Sequence, residues 1–342
     1  MSRPLSAPGT RVSANATLAR LALLLVVLLI ATVISMATGA ASVPPATLLD
    51  VLRGRADATS RVIVLELRLP RTILAAVVGG GLAVSGAAFQ ALLRNPLAEP
   101  YILGVSGGAA VGAVAAVVSG LAATATWGLP AAAFAGALSA IGLAFWISLR
   151  VGRGFDTRVL LLAGVVLGAF FNAVILLLLT YTSVESFRSA VFWMMGSLST
   201  ASWPVVAIVA VHVVPLSLVL VLLARALNIL ASGEETAMFL GVRVEAIKIA
   251  VYAMGSLIVA AAVALCGVIG FIGLIVPHAL RLLWGGDHRL LLPGSFLAGG
   301  AFLLLADTAA RTVASPAELP VGVITALVGV PLFVLILTRS PQ

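Results

Sequence analysis

The sequence predicts an all-α polytopic membrane protein of about ten transmembrane helices, organised as one domain over residues 1–342, and three observations predict it. First, 62% of the residues are apolar and 9% charged, where soluble domains carry about 25% charged residues. Second, the mean hydropathy of +1.21 excludes a water-soluble globule. Third, the charged residues punctuate uncharged runs, and a chain of 342 residues divided by a span plus loop of roughly 30 has room for about ten spans and no sizeable soluble domain.

The apolar segments run 21–41, 72–93, 101–120, 128–149, 159–182, 203–224, 249–266, 271–283, 293–310 and 319–338. Arg3, Arg11 and Arg20 precede the first, and Ala40-Ala41-Ser42 resembles a cleavage region. The uncharged stretch from Leu21 to Leu49 is nevertheless far longer than the ~7–15 residues of a signal core, so it reads as a retained helix behind a tail of residues 1–20. Gly104, Gly108 and Gly112, and Gly164 with Gly168, recur at helical spacing and predict close helix packing. Gly79-Gly80-Gly81 lies inside a span with no strand before it, which favours packing over a dinucleotide fingerprint. Residues 189–224 and 249–280 are uncharged runs of 36 and 32, too long for one helix and short for two. Gly267, Gly270 and Gly273 break the second and Pro277 shortens its latter half. Broken helices at membrane depth occur where protein or a water-filled cavity covers the backbone, which points to a pathway.

Several chemistries are excluded. The basic residues are 19 Arg and one Lys, and Lys248, in Ala246-Ile247-Lys248-Ile249, lacks the glycines and hydroxyl of a Walker A loop. The chain therefore carries no ATPase of that kind. Cys266 is the single cysteine, so disulfide and thiolate metal frameworks within one subunit are excluded. The arginines are scattered between apolar runs rather than gathered on a basic face, so the charge of +8 reflects membrane topology and not nucleic acid. No metal site is expected: His278 and His288 lack a ligand at helical spacing, and Met194 and Met195 read as packing residues. Gly104-x-Ser106-x-Gly108, with His212 as a conceivable base, would suit an intramembrane serine protease, but a loop rather than a strand precedes the serine. An ion-coupled secondary carrier would need an acid within a span. Asp307 alone qualifies, and it stands four residues before Arg311, positioned to pair with it.

With the N-terminus inside, 13 of the 20 basic residues fall on inner loops: Arg3, Arg11, Arg20, Arg94, Arg150, Arg153, Arg158, Arg225, Arg243, Lys248, Arg281, Arg289 and Arg339. Ten spans place both termini on the cytoplasmic side. Five arginines, Arg53, Arg55, Arg61, Arg68 and Arg71, crowd the first outer loop and the start of the second span against that bias, which suggests an acidic docking partner outside. The inner loop 225–247 contains Ser232-Gly233-Glu234-Glu235, a capping box, and reaches a natural stop at Gly241. This predicts a two-turn helix displaying Met238, Phe239 and Leu240, too short to stand alone in water and so held by another surface, a soluble partner before its own bundle.

These residues carry a signature from about residue 50 to 339. Arg68-Leu69-Pro70-Arg71, Gly86-x-x-x-Gln90, Asn95-Pro96-Leu97-Ala98-Glu99-Pro100 and Leu103-Gly104-Val105-Ser106-Gly107-Gly108-Ala109 occur in order. Trp193-Met194-Met195-Gly196-Ser197-Leu198, Gly233-Glu234-Glu235, Leu240-Gly241-Val242, Phe271 to His278 and Glu318-Leu319-Pro320-Val321-Gly322 follow. Together they resemble the FecCD/BtuC-like permease subunits of ABC importers for haem, iron siderophores and cobalamin. The resemblance implies a type II importer permease of the bacterial inner membrane, with no permanently bound cofactor. It pairs with a second copy, binds two cytoplasmic ATPase subunits that use the ATP, and receives cargo from a periplasmic binding protein. It implies that Ser232, Gly233, Glu234, Glu235, Met238, Phe239, Leu240 and Gly241 form the ATPase-coupling segment, and that Arg68, Arg71 and Arg311 dock the binding protein. The fifth and tenth spans are implied to line the cargo route, with Ala169, Phe170, Phe171 and Asn172 as candidate lining. That stretch is apolar and small, which suits a bulky chelate better than a bare ion; haem is the first expectation, ferric siderophores the next and cobalamin the third.

Overall fold

The computed structural model describes residues 14–39, 44–152 and 154–339. Arg3, Arg11, Ala40 to Ser42, Arg153 and the side chain of Arg339 lie outside that description. The first helix, α1 (Ala14–Ala37), is followed by short helices α2 (Pro45–Leu52) and α3 (Ala58–Val62). A π-helical turn over 63–68 then joins α3 to α4 (Leu69–Leu92). A 3₁₀ turn at 100–103 precedes α5 (Val105–Val118), and the tiny α6 (Leu121–Thr124) leads to α7 (Gly128–Val151) and α8 (Thr157–Thr180). Beyond lie α9 (Val184–Met194), α10 (Trp203–Leu222), α11 (Ala224–Ala231), α12 (Glu234–Phe239) and α13 (Val244–Cys266). The chain closes with α14 (Ile272–Trp284), α15 (His288–Thr312) and α16 (Val321–Arg339). Among the described residues seven helices are long and apolar enough to cross a membrane, and α5, α14 and α16 are shorter apolar helices that bring the set to ten.

The two long uncharged runs resolve as the glycines and prolines dictate. Residues 189–224 divide into the end of α9, an irregular stretch and α10, which opens with Pro204 in its first turn, where no N–H is missed. Residues 249–280 divide into α13 and α14, separated by irregular backbone at 267–271, where Gly267 and Phe271 both take positive φ. Two boundaries differ from expectation. The second span starts well before residue 72, since helix runs on from Ala58 through the π turn. The third starts late, because residues 100–103 form a 3₁₀ turn lodged against α8: an added Cβ on Gly164 would run into the carbonyl of Ile102. Gly164 stands seven residues into α8, roughly 10 Å from its end at 1.5 Å per residue, so the loop 95–104 re-enters the bundle.

Helix α4 is the hub. It is buried on nearly every face by α15, α13, α10 and α14. Gly79 and Gly299 let α4 and α15 touch backbone to backbone; a Cβ on Gly79 would meet the Gly299 carbonyl at 2.3 Å. Gly108 and Gly112 do the same for α5 on α7, whereas Gly168 faces open space. By contrast α1 buries only Leu24, Ala31, Ser35 and Met36 and turns most of its remaining apolar side chains outward, as a helix at the lipid boundary does.

Candidate functional site

At one end of the bundle the chain turns through α11 and α12. Helix α12 spans residues 234–239 and ends in a Schellman motif: Gly241 N–H donates to Met238 O at 2.9 Å and Val242 N–H to Ala237 O at 3.0 Å. Gly241 takes the left-handed φ of +77° that this closure requires. The capping-box expectation at Ser232 fails. Gly233 is the N-cap, at φ +121° with no side-chain cap, and Ser232 closes α11, its hydroxyl donating to Asn228 O at 3.5 Å. A backbone at that φ favours glycine, so it moves the cap one residue past the serine.

What holds α12 instead is charge. Lys248 Nζ, 6% exposed, donates to both oxygens of Glu234 at 3.1 and 3.0 Å, and its ammonium lies 5.9 Å from the Phe155 ring. Arg94, at the end of α4, approaches Glu234 at 3.9 Å, while Glu235 stands in the first turn of α12. With Ala237 buried beneath, the helix displays Met238, Phe239 and Leu240, 57%, 91% and 64% exposed. The apolar residues are therefore turned away from their own bundle.

The broken helix forms the second feature. Its backbone groups, which α-helix geometry leaves unpaired, are taken up by the re-entrant loop. Tyr101 Oη donates to Ile269 O at 2.9 Å and accepts from Ile269 N–H at 3.2 Å, and Glu99 accepts the Phe271 N–H at 2.7 Å. Gln90 Nε2 donates to the Gly273 and Leu274 carbonyls at 3.3 and 3.2 Å. Beside this junction opens an apolar cleft of about 630 Å³ lined by Met194, Met195, Phe271, Leu327 and Val330 among others. Of the residues expected to line a route on α8, Ala169, Phe170 and Asn172 are exposed. Phe171 is not available for that role: it is 7% exposed, its ring filling the slot that Gly107 leaves on α5.

At the opposite end Arg68, Arg71 and Arg311 line one cleft of about 330 Å³ with Glu318. They are engaged there. Arg71 forks between Asp307, at 2.9 Å, and Glu318, at 3.0 Å. Arg311 lies 3.1 Å from Asp307 and donates to Ser35 Oγ at 3.1 Å, and Arg68 donates to the carbonyl of Met36. Arg68 and Arg311 are only 6% and 8% exposed, so neither offers an open docking face in this conformation. The exposed arginines at this end are Arg53, Arg55, Arg61 and Arg188. Asp307 does pair with Arg311, and with Arg71 besides; a carboxylate held between two guanidiniums is poorly suited to carry ions.

The profile described as the FecCD transport family matches residues 27–339. The chain belongs to the FecCD transport family. It is 44% identical over 280 residues to the ABC transporter permease YvrB of Bacillus subtilis, covering 81% of this chain and 79% of that one. It is 48% identical over 279 residues to the cobalamin import permease BtuC of Halobacterium salinarum, covering 82% and 74%. It is 43% identical over 281 residues to the hemin transport permease HmuU of Yersinia pestis, covering 81% and 84%. Among solved structures, an inward-facing transporter described as of metal-chelate type superposes with a TM-score of 0.85 at 34% identity, covering 94% of this chain and 99% of that one. This FecCD protein is thus an ABC importer permease, a transport component rather than an enzyme.

Sequence reasoning missed part of this FecCD permease's site. Glu99 joins Asp307 as an acid inside the bundle, and Lys248, in the sequence a lysine without a Walker loop and one of the inner-loop cations, pins α12. The signal for Glu99 was present, since it sits between Pro96 and Pro100 in a short stretch, 95–104, with no other charged residue.

Proposed function

We propose that the chain is the membrane subunit of an importer for a bulky, largely apolar metal chelate, with haem the first cargo. It works as a pair of copies on two cytoplasmic ATPase subunits, fed by a periplasmic binding protein. The observation that carries the reading is α12, whose Phe239 is 91% exposed on a six-residue helix anchored at its base. An apolar side chain so placed fits a groove on a soluble partner. This puts α12 and both termini on the cytoplasmic side.

Movement of α12 has one firm exit and one looser one: Lys248 ties it to α13 through two hydrogen bonds, and Arg94, just past α4, approaches the same Glu234 at 3.9 Å. Both helices lead to the broken junction, α13 directly through residue 267 and α4 through the loop that ends in Glu99 and Tyr101. Shifting α12 therefore shifts the backbone that walls the Met194–Met195 cleft. The cleft is lined without a charged side chain, which suits a macrocyclic chelate and would desolvate a bare ion at high cost. At the far end an acidic binding protein first meets Arg53, Arg55 and Arg61, and a carboxylate replacing Glu318 on Arg71 would complete docking.

The test is reconstitution of the chain with its ATPase and binding protein in proteoliposomes, with haem, a ferric siderophore and cobalamin offered separately. ATP-dependent accumulation of haem is expected. Accumulation of cobalamin alone would establish the second reading, which the 48% identity to the Halobacterium BtuC favours, and uptake of none would overturn the proposal.

A further inference from the structure

A corner of the bundle away from the α12 contacts carries positive charge with no acidic partner among the described residues. Helix α14 places His278, Arg281 and Trp284 at successive three-residue steps, on one face. Arg20 of α1 lies over the Trp284 ring, 5.8 Å from its centroid. One guanidinium nitrogen of Arg20 and one of Arg281 are shut off from solvent and find no hydrogen-bond partner, as does Nε2 of His288 at the start of α15. His288 is 4% exposed and its other ring nitrogen is committed to Asn228 at 2.7 Å. Arg281 is close enough to act electrostatically on both His278 and His288.

No acid answers these charges. Asp287 is taken by Asn228 Nδ2 at 2.7 Å and by Arg289 N–H at 3.0 Å. Among the described residues neither Arg20 nor Arg281 forms an ion pair or hydrogen bond, and residues 1–13 contain no Asp or Glu that could serve. Arg20 and Arg281 are half-buried, and the other guanidiniums drawn into the bundle have partners: Arg71 and Arg311 bind Asp307, and Arg68 a carbonyl. An unpaired cation at such a site costs stability unless an anion meets it. The flanks say which kind of anion. Leu18, Leu282 and Leu283 are 65%, 51% and 69% exposed beside the cluster, and Trp284 is the residue type that settles at headgroup level.

We propose that Arg20, Arg281 and Trp284 bind the phosphate of an anionic phospholipid, whose acyl chains lie along Leu18, Leu282 and Leu283. Guanidinium forks match phosphate oxygens bidentately, and a basic pocket between membrane helices is a known form of headgroup site. The inference rests only on the chain spanning a bilayer, not on its cargo or its ATPase. Arg150 makes the informative contrast. It also lies over an indole, 5.9 Å from the Trp146 ring, yet it is exposed, and no nitrogen of its guanidinium is shut off from solvent without a partner.

Native mass spectrometry of the full chain in detergent, titrated with phosphatidylglycerol, phosphatidylcholine or inorganic phosphate, tests this without transport. The intact chain should retain phosphatidylglycerol over phosphatidylcholine. Arg20→Gln with Arg281→Gln should weaken that retention by about 25-fold, at about fivefold for each charge, while Arg150→Gln leaves it within about twofold. Equal retention of the two lipids by the intact chain would overturn the proposal even if the double variant folds poorly. So would loss of equal size in Arg150→Gln, which would mean general surface charge. Inorganic phosphate binding as tightly as phosphatidylglycerol would assign the cluster to a free anion instead.

Discussion

The two ends of the molecule treat their conspicuous side chains in opposite ways. At the α12 end the polar groups are used internally, Glu234 on Lys248, and the apolar Met238, Phe239 and Leu240 are left outside. At the other end the expected contact residues are charged, and they are buried: Arg71 and Arg311 converge on Asp307, itself 1% exposed. Exposed apolar surface on a short, anchored helix needs a partner to cover it. Charge that is already paired needs none. Surface chemistry thus separates a docking element from a structural network more reliably than residue type, since arginine suits both.

The largest effect should come from breaking the internal network. Asp307→Ala leaves two buried guanidiniums short of a counter-charge, and loss of one member of a buried pair costs about 3–5 kcal/mol. Thermal unfolding of the purified chain in detergent should fall accordingly, and an unchanged midpoint would show the arginine end to be loosely packed and its charges open to a partner. Next comes the contact face. Phe239→Asp should leave unfolding unchanged while weakening ATPase capture by at least about thirtyfold, the scale of losing an interface hot spot. Full co-purification of the variant would place the partner elsewhere. Smallest is a pair that distinguishes the two ends of α12: Gly241→Ala forces a left-handed residue and should cost about 1–2 kcal/mol, whereas Ser232→Ala should stay within about 0.5 kcal/mol. If Ser232→Ala were the costlier of the two, the capping box would operate after all; paired unfolding curves decide it.

Much of the architecture was legible in the chain because a bilayer imposes a length. Ten apolar segments, the break between Gly267 and Gly273 and a short helix before Gly241 all follow from runs, glycines and prolines, which act locally. Boundaries drifted where backbone groups were satisfied from far away: residues 100–103 became a re-entrant turn through contacts with α8, and the helix of the second span began at Ala58. The motif order also made the family legible, since only the combination of spacings, and no single motif, is specific.

By itself, then, the sequence determined that the chain crosses a membrane, carries no ATPase loop, and presents one short helix on a loop, since hydropathy, missing residues and turn glycines are properties of the chain. Tertiary structure alone decided which charges are spent internally. Asp307 with Arg71 are 236 residues apart and Glu99 with Phe271 are 172, and no local pattern encodes such pairings. It also decided that Phe171 turns inward, that Gly233 and not Ser232 caps α12, and that Arg20 and Arg281 stand without an acid. Each depends on what a neighbouring helix places within a few ångströms, and the physical worth of a charge or a hydroxyl is set by that neighbour rather than by its position in the chain.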